Sequence, residues 1–181
     1  MPWNPVSDPF PASEVRRISN FRYLDELKFV RHARILVNKP PKSLWQLSAD
    51  FRAEMTVQPQ EGRSYRLAIK APRGLYTDLS SVPDLLWSIV GPIGKHLEAS
   101  ILHDYLYMAW TDYRDKARKQ DWDFADLVFK EAMTVSKVPR RRLIYRAVHS
   151  PIGWAVFRRK SYTLKERMEA WLPHLAPGHG R

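Results

Sequence analysis

The sequence has no cysteine, which excludes disulfides, thiolate metal sites and cysteine nucleophiles, and is compatible with synthesis in a reducing compartment. It also lacks a long apolar run. The longest, Leu85 to Gly94, is too short to span a bilayer and is interrupted by Gly91 and Pro92. The first twenty residues show no basic stretch followed by an apolar core, so a signal peptide is not expected there. They carry Pro2, Pro5, Pro9 and Pro11 instead. A soluble chain with no transmembrane segment is the expectation. Acids are scarce in the last third: Lys137, Arg140, Arg141, Arg142, Arg146, Arg158, Arg159, Lys160, Lys165 and Arg167 face only Glu166.

What is present suits one packed domain. The chain has 181 residues, 44% hydrophobic and 12% aromatic with seven Trp, enough to bury a sizeable core. Its net charge of +11 and pI near 10.0 come largely from that basic last third. Residues 137–167 are therefore a candidate polyanion-binding surface, although a solvated basic face has the same composition. No aromatic-interleaved nucleic-acid motif accompanies the charge, so sequence-specific nucleic-acid recognition is not expected.

Taken in order, residues 1–20 read as an extended, proline-rich arm. A globular domain follows over 21–160, and residues 161–181 read as an amphipathic helix near Leu164–Leu172 with a mobile tail. Between about 27 and 71 the signals are β-like: Phe29-Val30, Ile35-Leu36-Val37, Leu44 to Leu47, Phe51 to Met55 and the alternating Tyr65 to Lys70. Pro40-Pro41 and Gln58 to Gly62 supply turns. Helical patterns come after, at about 83–90, 95–110, 121–136 and 139–149, with Pro151 and Gly153 expected to end the last of these. Strands first and helices after predict an α+β fold: a small N-terminal antiparallel sheet or hairpins, then a helical core with two long antiparallel helices.

The chemistry concentrates between Thr77 and Met133. On the first long helix Ala99, His103, Tyr107 and Trp110 share a stripe, and Leu97, Ile101, Tyr105 and Met108 make a second apolar one. His103 is therefore expected to be at least half buried. On the next helix Asp126 sits in the stripe Trp122, Asp126, Phe129, Met133, where a leucine would normally go. A buried carboxylate without a partner costs several kcal/mol, so His103 and Tyr107 are its predicted partners. Such a network can simply tie two helices together. Asp104, about 100° further round the helix, adds a second carboxylate, and with Asp78 and the carbonyls of its Ser/Pro turn it would offer a Ca²⁺ ion oxygen ligands. Zinc would want more His or Cys ligands.

The motifs Thr77-Asp78-x-x-Ser81-x-Pro83, His103-Asp104-x-Leu106-Tyr107, Ala125-Asp126-x-x-Phe129, Val138-Pro139, Ala147-Val148 and Gly153-Trp154 resemble an uncharacterised family of phage and bacterial proteins, domain of unknown function 1353, over roughly residues 44 to 156. That resemblance implies a phage or prophage source and supplies no activity. His-Asp-x-x-Tyr facing Ala-Asp-x-x-Phe is also similar, over about 55 residues, to the core of the phospholipase A(2) superfamily. This second resemblance implies a phospholipase A(2)-like helical core with His103 as general base, Asp104 as a Ca²⁺ ligand, and Asp126 and Tyr107 as the orienting network. The Asp78-Leu79 turn loosely resembles the calcium loop, so Asp78 and Leu79 join the implied metal ligands. The superfamily's disulfides are absent and no Tyr-x-Gly-x-Gly loop precedes the helix.

The expected activity is a phage-encoded, Ca²⁺-dependent ester hydrolase acting on lipid or a related ester, with catalytic residues His103, Asp126 and Tyr107. Ser80 and Ser81 lack the Gly-x-Ser-x-Gly elbow of a serine nucleophile. A His…His-Asp…Asp metal phosphohydrolase, drawing on His96 or His32, would require a wholly helical fold. The alternative from a different class is a non-enzymatic virion or assembly protein (tail, neck or baseplate) that binds other phage proteins. Synthesis in the host cytoplasm is expected, with incorporation into the virion on the assembly reading.

Overall fold

A computed structural model of the chain describes residues 7–33, 43–77 and 95–159. Asp78, Leu79, Ser80, Ser81, the expected helix at 83–90, the helix near 164–172 and the tail lie outside the described residues. The described fold is α+β, as expected: antiparallel strands come first and helices after.

Among the described residues two three-stranded antiparallel sheets form. In one, β4 (Phe51–Pro59) lies between β1 (Val15–Tyr23) and β5 (Tyr65–Ala71). In the other, β3 (Ser43–Leu47) lies between β2 (Phe29–Ala33) and β6 (Tyr76–Thr77). Along β4 the residues Phe51, Ala53, Met55 and Val57 are buried while Arg52, Glu54, Thr56 and Gln58 are not, the alternation of a half-buried strand. Gly62, at φ 95°, turns β4 into β5 in a backbone region that glycine adopts readily. The sheets exclude the wholly helical fold that the phosphohydrolase reading requires.

Residues 15–20, expected in an extended arm, are strand. The segment before them is anchored too: Phe10 is buried with its ring edge-on to Phe124, 6.2 Å between centroids, and Asp8 pairs with Arg114 at 2.6 Å. The strand was hidden because its apolar residues do not alternate. Ile18 and Phe21 are three apart, the pairing with β4 shifts between Val15 and Arg17 and again between Ser19 and Arg22, and Asn20 has φ 50°. A bulge puts two residues against one and breaks the period of two.

Four helices follow among the described residues: α1 (Leu97–Tyr113), α2 (Lys119–Val135), α3 (Arg141–Val148) and α4 (Pro151–Phe157). None is long and apolar enough to cross a membrane. α3 ends at Val148, before Pro151 as expected, and Pro151 then starts a further helix. It occupies the first turn, where its missing N–H loses nothing, and the Ser150 side chain caps that turn by accepting from the Gly153 N–H at 3.3 Å. Every residue of α1 from Ala99 to Trp110 is buried. α2 packs against both α1 and β1, and Tyr23 joins strand to helix: its ring stacks on Phe51 and its hydroxyl meets Ser136 Oγ at 3.0 Å. Contacts pair Glu98 with Ser136, His103 with Asp126 and Tyr107 with Trp122, so α1 and α2 run antiparallel.

Candidate functional site

The site is built where α1 and α2 cross at His103, with α3 and α4 closing over it. His103 and Asp126 both have 0% exposure. His103 Nε2 lies 2.9 Å from Asp126 Oδ1, and the Tyr107 hydroxyl donates to the same oxygen at 2.8 Å. Four residues separate His103 from Tyr107, one helical turn, which lets both reach one carboxylate. The Trp122 Nε1–H donates in turn to the Tyr107 hydroxyl at 3.0 Å. Around this line the His103 ring stacks on Phe129, 4.5 Å between centroids, and Phe157 from α4 meets Tyr107 edge-on at 5.0 Å.

The second carboxylate oxygen has a partner that the sequence did not reveal. His149 Nδ1, just beyond α3, lies 2.9 Å from Asp126 Oδ2. The His149 ring is sandwiched between Trp122 at 4.4 Å and Tyr145 at 5.2 Å, both nearly parallel to it. Its side chain keeps 32% exposure, so Asp126 joins a wholly buried imidazole to one that reaches the surface. A signal did exist. A carboxylate has about four lone-pair sites, and two donors from α1 leave a buried one half satisfied. A third donor was required, and His149 ends a stripe with Tyr145.

Electrostatics decide the protonation pattern. Burial acts most strongly on Asp126 and pushes its pKa up. The hydrogen bonds from His103 and His149, the His103 charge and the Tyr107 hydroxyl outweigh it and hold the carboxyl below the usual value. Burial first, then the Asp126 charge, raises the Tyr107 pKa far above its ordinary value, which keeps the hydroxyl proton available for donation. An ionised carboxylate can only accept, so His103 donates from Nε2 in either charge state. The neutral imidazole therefore carries a bare Nδ1. That nitrogen is buried and has no hydrogen-bond partner among the described residues. On His149 the order is reversed: Nδ1 donates to Asp126, and Nε2 lies 3.9 Å from Asp123 Oδ1.

His103, Tyr107 and Asp126 are thus brought together, and Asp104 is buried beside them without sharing in the Asp126 bonds. Asp78 and Leu79 lie outside the described residues. Among the described residues no group of three or more His, Asp or Glu side chains is placed to hold a metal ion. Asp104 alone falls short of the six to eight oxygens of a Ca²⁺ shell, so the described residues do not by themselves fit that cation.

No curated protein and no solved structure matches the chain. The likeness to the phospholipase A(2) core finds no support in these comparisons. A family model described as "Protein of unknown function (DUF1353)" matches residues 45–148, a span that begins in β3 and ends with α3. That span exceeds half of the 181 residues, and the chain belongs to this family.

Proposed function

We propose that the chain is a phage-encoded hydrolase of carboxylic esters, lipid esters among them, in which His103 activates a water molecule. The observation that carries this reading is the buried His103 Nδ1, which has no hydrogen-bond partner among the described residues, on a ring whose Nε2 meets Asp126. Nδ1 takes a proton from water, and the hydroxide oxygen bonds to the ester carbonyl carbon. The imidazolium, held by Asp126, then returns the proton to the leaving alkoxide as the carbon–oxygen bond breaks. Tyr107 and Trp122 hold the carboxylate in place. The Ca²⁺ requirement in this reading rests on Asp104 together with Asp78 and the Leu79 carbonyl.

The complete burial of His103 favours a second reading, a virion or assembly protein in which the same network ties helices together. One assay separates the two. The purified full chain is offered short-chain and phospholipid esters, with Ca²⁺ and then with chelator. On the hydrolase reading it turns over an ester, and His103→Gln lowers the rate by about 10²–10⁴-fold while leaving the melting curve nearly unchanged. The glutamine amide keeps one hydrogen bond to Asp126. A folded wild-type chain that hydrolyses no ester, or a His103→Gln variant as fast as wild type, removes the catalytic reading.

A further inference from the structure

Several arginines elsewhere in the chain are held by acids. Arg22 is held by Glu54, Arg52 by Asp25, Arg114 by Asp8 and Arg118 by Asp121, all at 2.6–2.8 Å. From Lys137 to Arg159 no such pair forms among the described residues. Lys137, Arg140, Arg141, Arg142, Arg146, Arg158 and Arg159 are present and no acid is. Arg141, Arg142 and Arg146 stand exposed on α3 with no carboxylate partner among the described residues. Like charges this close repel one another, an expense a protein tolerates where an anion offsets it.

Three of these exposed cations border one cleft. It lies between α2 and α3, has a volume of ≈ 380 Å³, and is bounded by Lys130 and Thr134 on one side and by Arg141, Arg142, Tyr145 and Arg146 on the other. No acid lines it. Tyr145 is half-buried, and Lys130 Nζ sits 5.4 Å from its ring centroid, which keeps the ammonium over the cleft wall. The Thr134 hydroxyl donates to the Lys130 carbonyl at 2.9 Å, so its proton is already engaged. Apart from the Tyr145 hydroxyl, the free donors lining the cleft are cationic side chains, chiefly guanidinium forks, whose geometry matches phosphate oxygens two at a time. The volume falls within the range of small-ligand pockets.

We propose that the cleft between α2 and α3 is a phosphate-binding site, taking a phosphomonoester or diphosphate group through Lys130, Arg141, Arg142 and Arg146. It is separate from the His103 chemistry and stands whether or not that reading does, but the two are physically joined. Tyr145 forms the cleft wall and stacks on His149, which donates to Asp126.

The test uses the full chain and two probes of the same chemistry, inorganic pyrophosphate by calorimetry and vesicles of phosphatidylcholine with or without phosphatidic acid by co-sedimentation. Arg142→Ala and Arg146→Ala each remove an exposed side chain, and Lys130→Ala is a third cleft variant should either misfold. Each is expected to weaken pyrophosphate about tenfold, the effect of losing one charge-assisted hydrogen bond. Arg158→Ala, basic but outside the cleft, is expected to change it by less than about twofold on the same reasoning. Vesicle binding that needs phosphatidic acid, and is lost in the same cleft variants, assigns the phosphate to a lipid headgroup. Pyrophosphate binding alone assigns it to a soluble ligand. The proposal is overturned if neither probe binds, or if Arg158→Ala costs as much as Arg142→Ala. Duplex DNA that binds more tightly than either probe, with equal dependence on all these arginines, overturns it in favour of a diffuse nucleic-acid surface.

Discussion

Replacing Asp126 with alanine is expected to destabilise the fold by about 3–5 kcal/mol, because it removes one member of a buried ionised network. Three donors meet at this carboxylate: His103 Nε2 and the Tyr107 hydroxyl at one oxygen, His149 Nδ1 at the other. Alanine leaves all three without that acceptor, two of them on side chains with little or no contact with water, and an orphaned buried donor costs more than a hydrogen bond usually contributes. The loss depends on pH in a definite direction. The folded Asp126 pKa lies below the ordinary value, so its contribution is fully present above the unfolded pKa of about 3.9 and is lost as pH falls through the folded value. The gap in urea midpoint between wild type and Asp126→Ala should be widest near neutral pH and shrink on the acid side. Equal midpoints at neutral pH would mean that the three donors do not depend on this carboxylate.

The second large effect is expected at Gly153, where two general tendencies oppose each other. Inside a helix, alanine in place of glycine ordinarily adds up to about 1 kcal/mol of stability. Here a Cβ would lie 1.7 Å from the Val148 carbonyl oxygen and 2.8 Å from its carbon, so backbone must move. That carbonyl is not free to yield, because it accepts from the Ser150 N–H at 2.9 Å. Moving α4 also moves Phe157, whose ring packs on Tyr107 and Trp110 and whose carbonyl accepts from Trp110 Nε1 at 2.9 Å. Overpacking together with this displaced anchor is expected to cost at least about 3 kcal/mol. Thermal unfolding followed by tryptophan fluorescence reads the result directly. A Gly153→Ala variant as stable as wild type would show that α3 and α4 do not approach as closely as described.

The centre of the molecule was legible in the sequence because its signals are local and strong. An acid in the stripe of Trp122, Phe129 and Met133 needed a buried partner, and the only histidine within the apolar run of α1 was the one it met. β5 carried its period of two openly, and β4 carried it in part over Phe51 to Met55. What the sequence does not display depends on pairing between distant residues. The bulges of β1 are set by its register against β4, thirty or more residues away, and they erase the alternation that marks a strand. His149 follows a helix of only two turns and reaches Asp126 only once α3 has docked. Pro151 was ambiguous in principle, since proline both ends helices and begins them, and Ser150 as its cap was the clue.

The placement of β1 bears on how the protein can be cut. The span matched by the family, residues 45–148, contains β4 and β5 but neither β1 nor α4. A fragment trimmed to that span would leave the full nine-residue length of β4 with one row of peptide groups open, beside the apolar face of Met55 and Val57. Open edges of that length recruit another strand. Such a fragment is expected to pair with copies of itself along β4 and precipitate, whereas a chain that keeps residues 8–23 supplies its own strand to cover the edge.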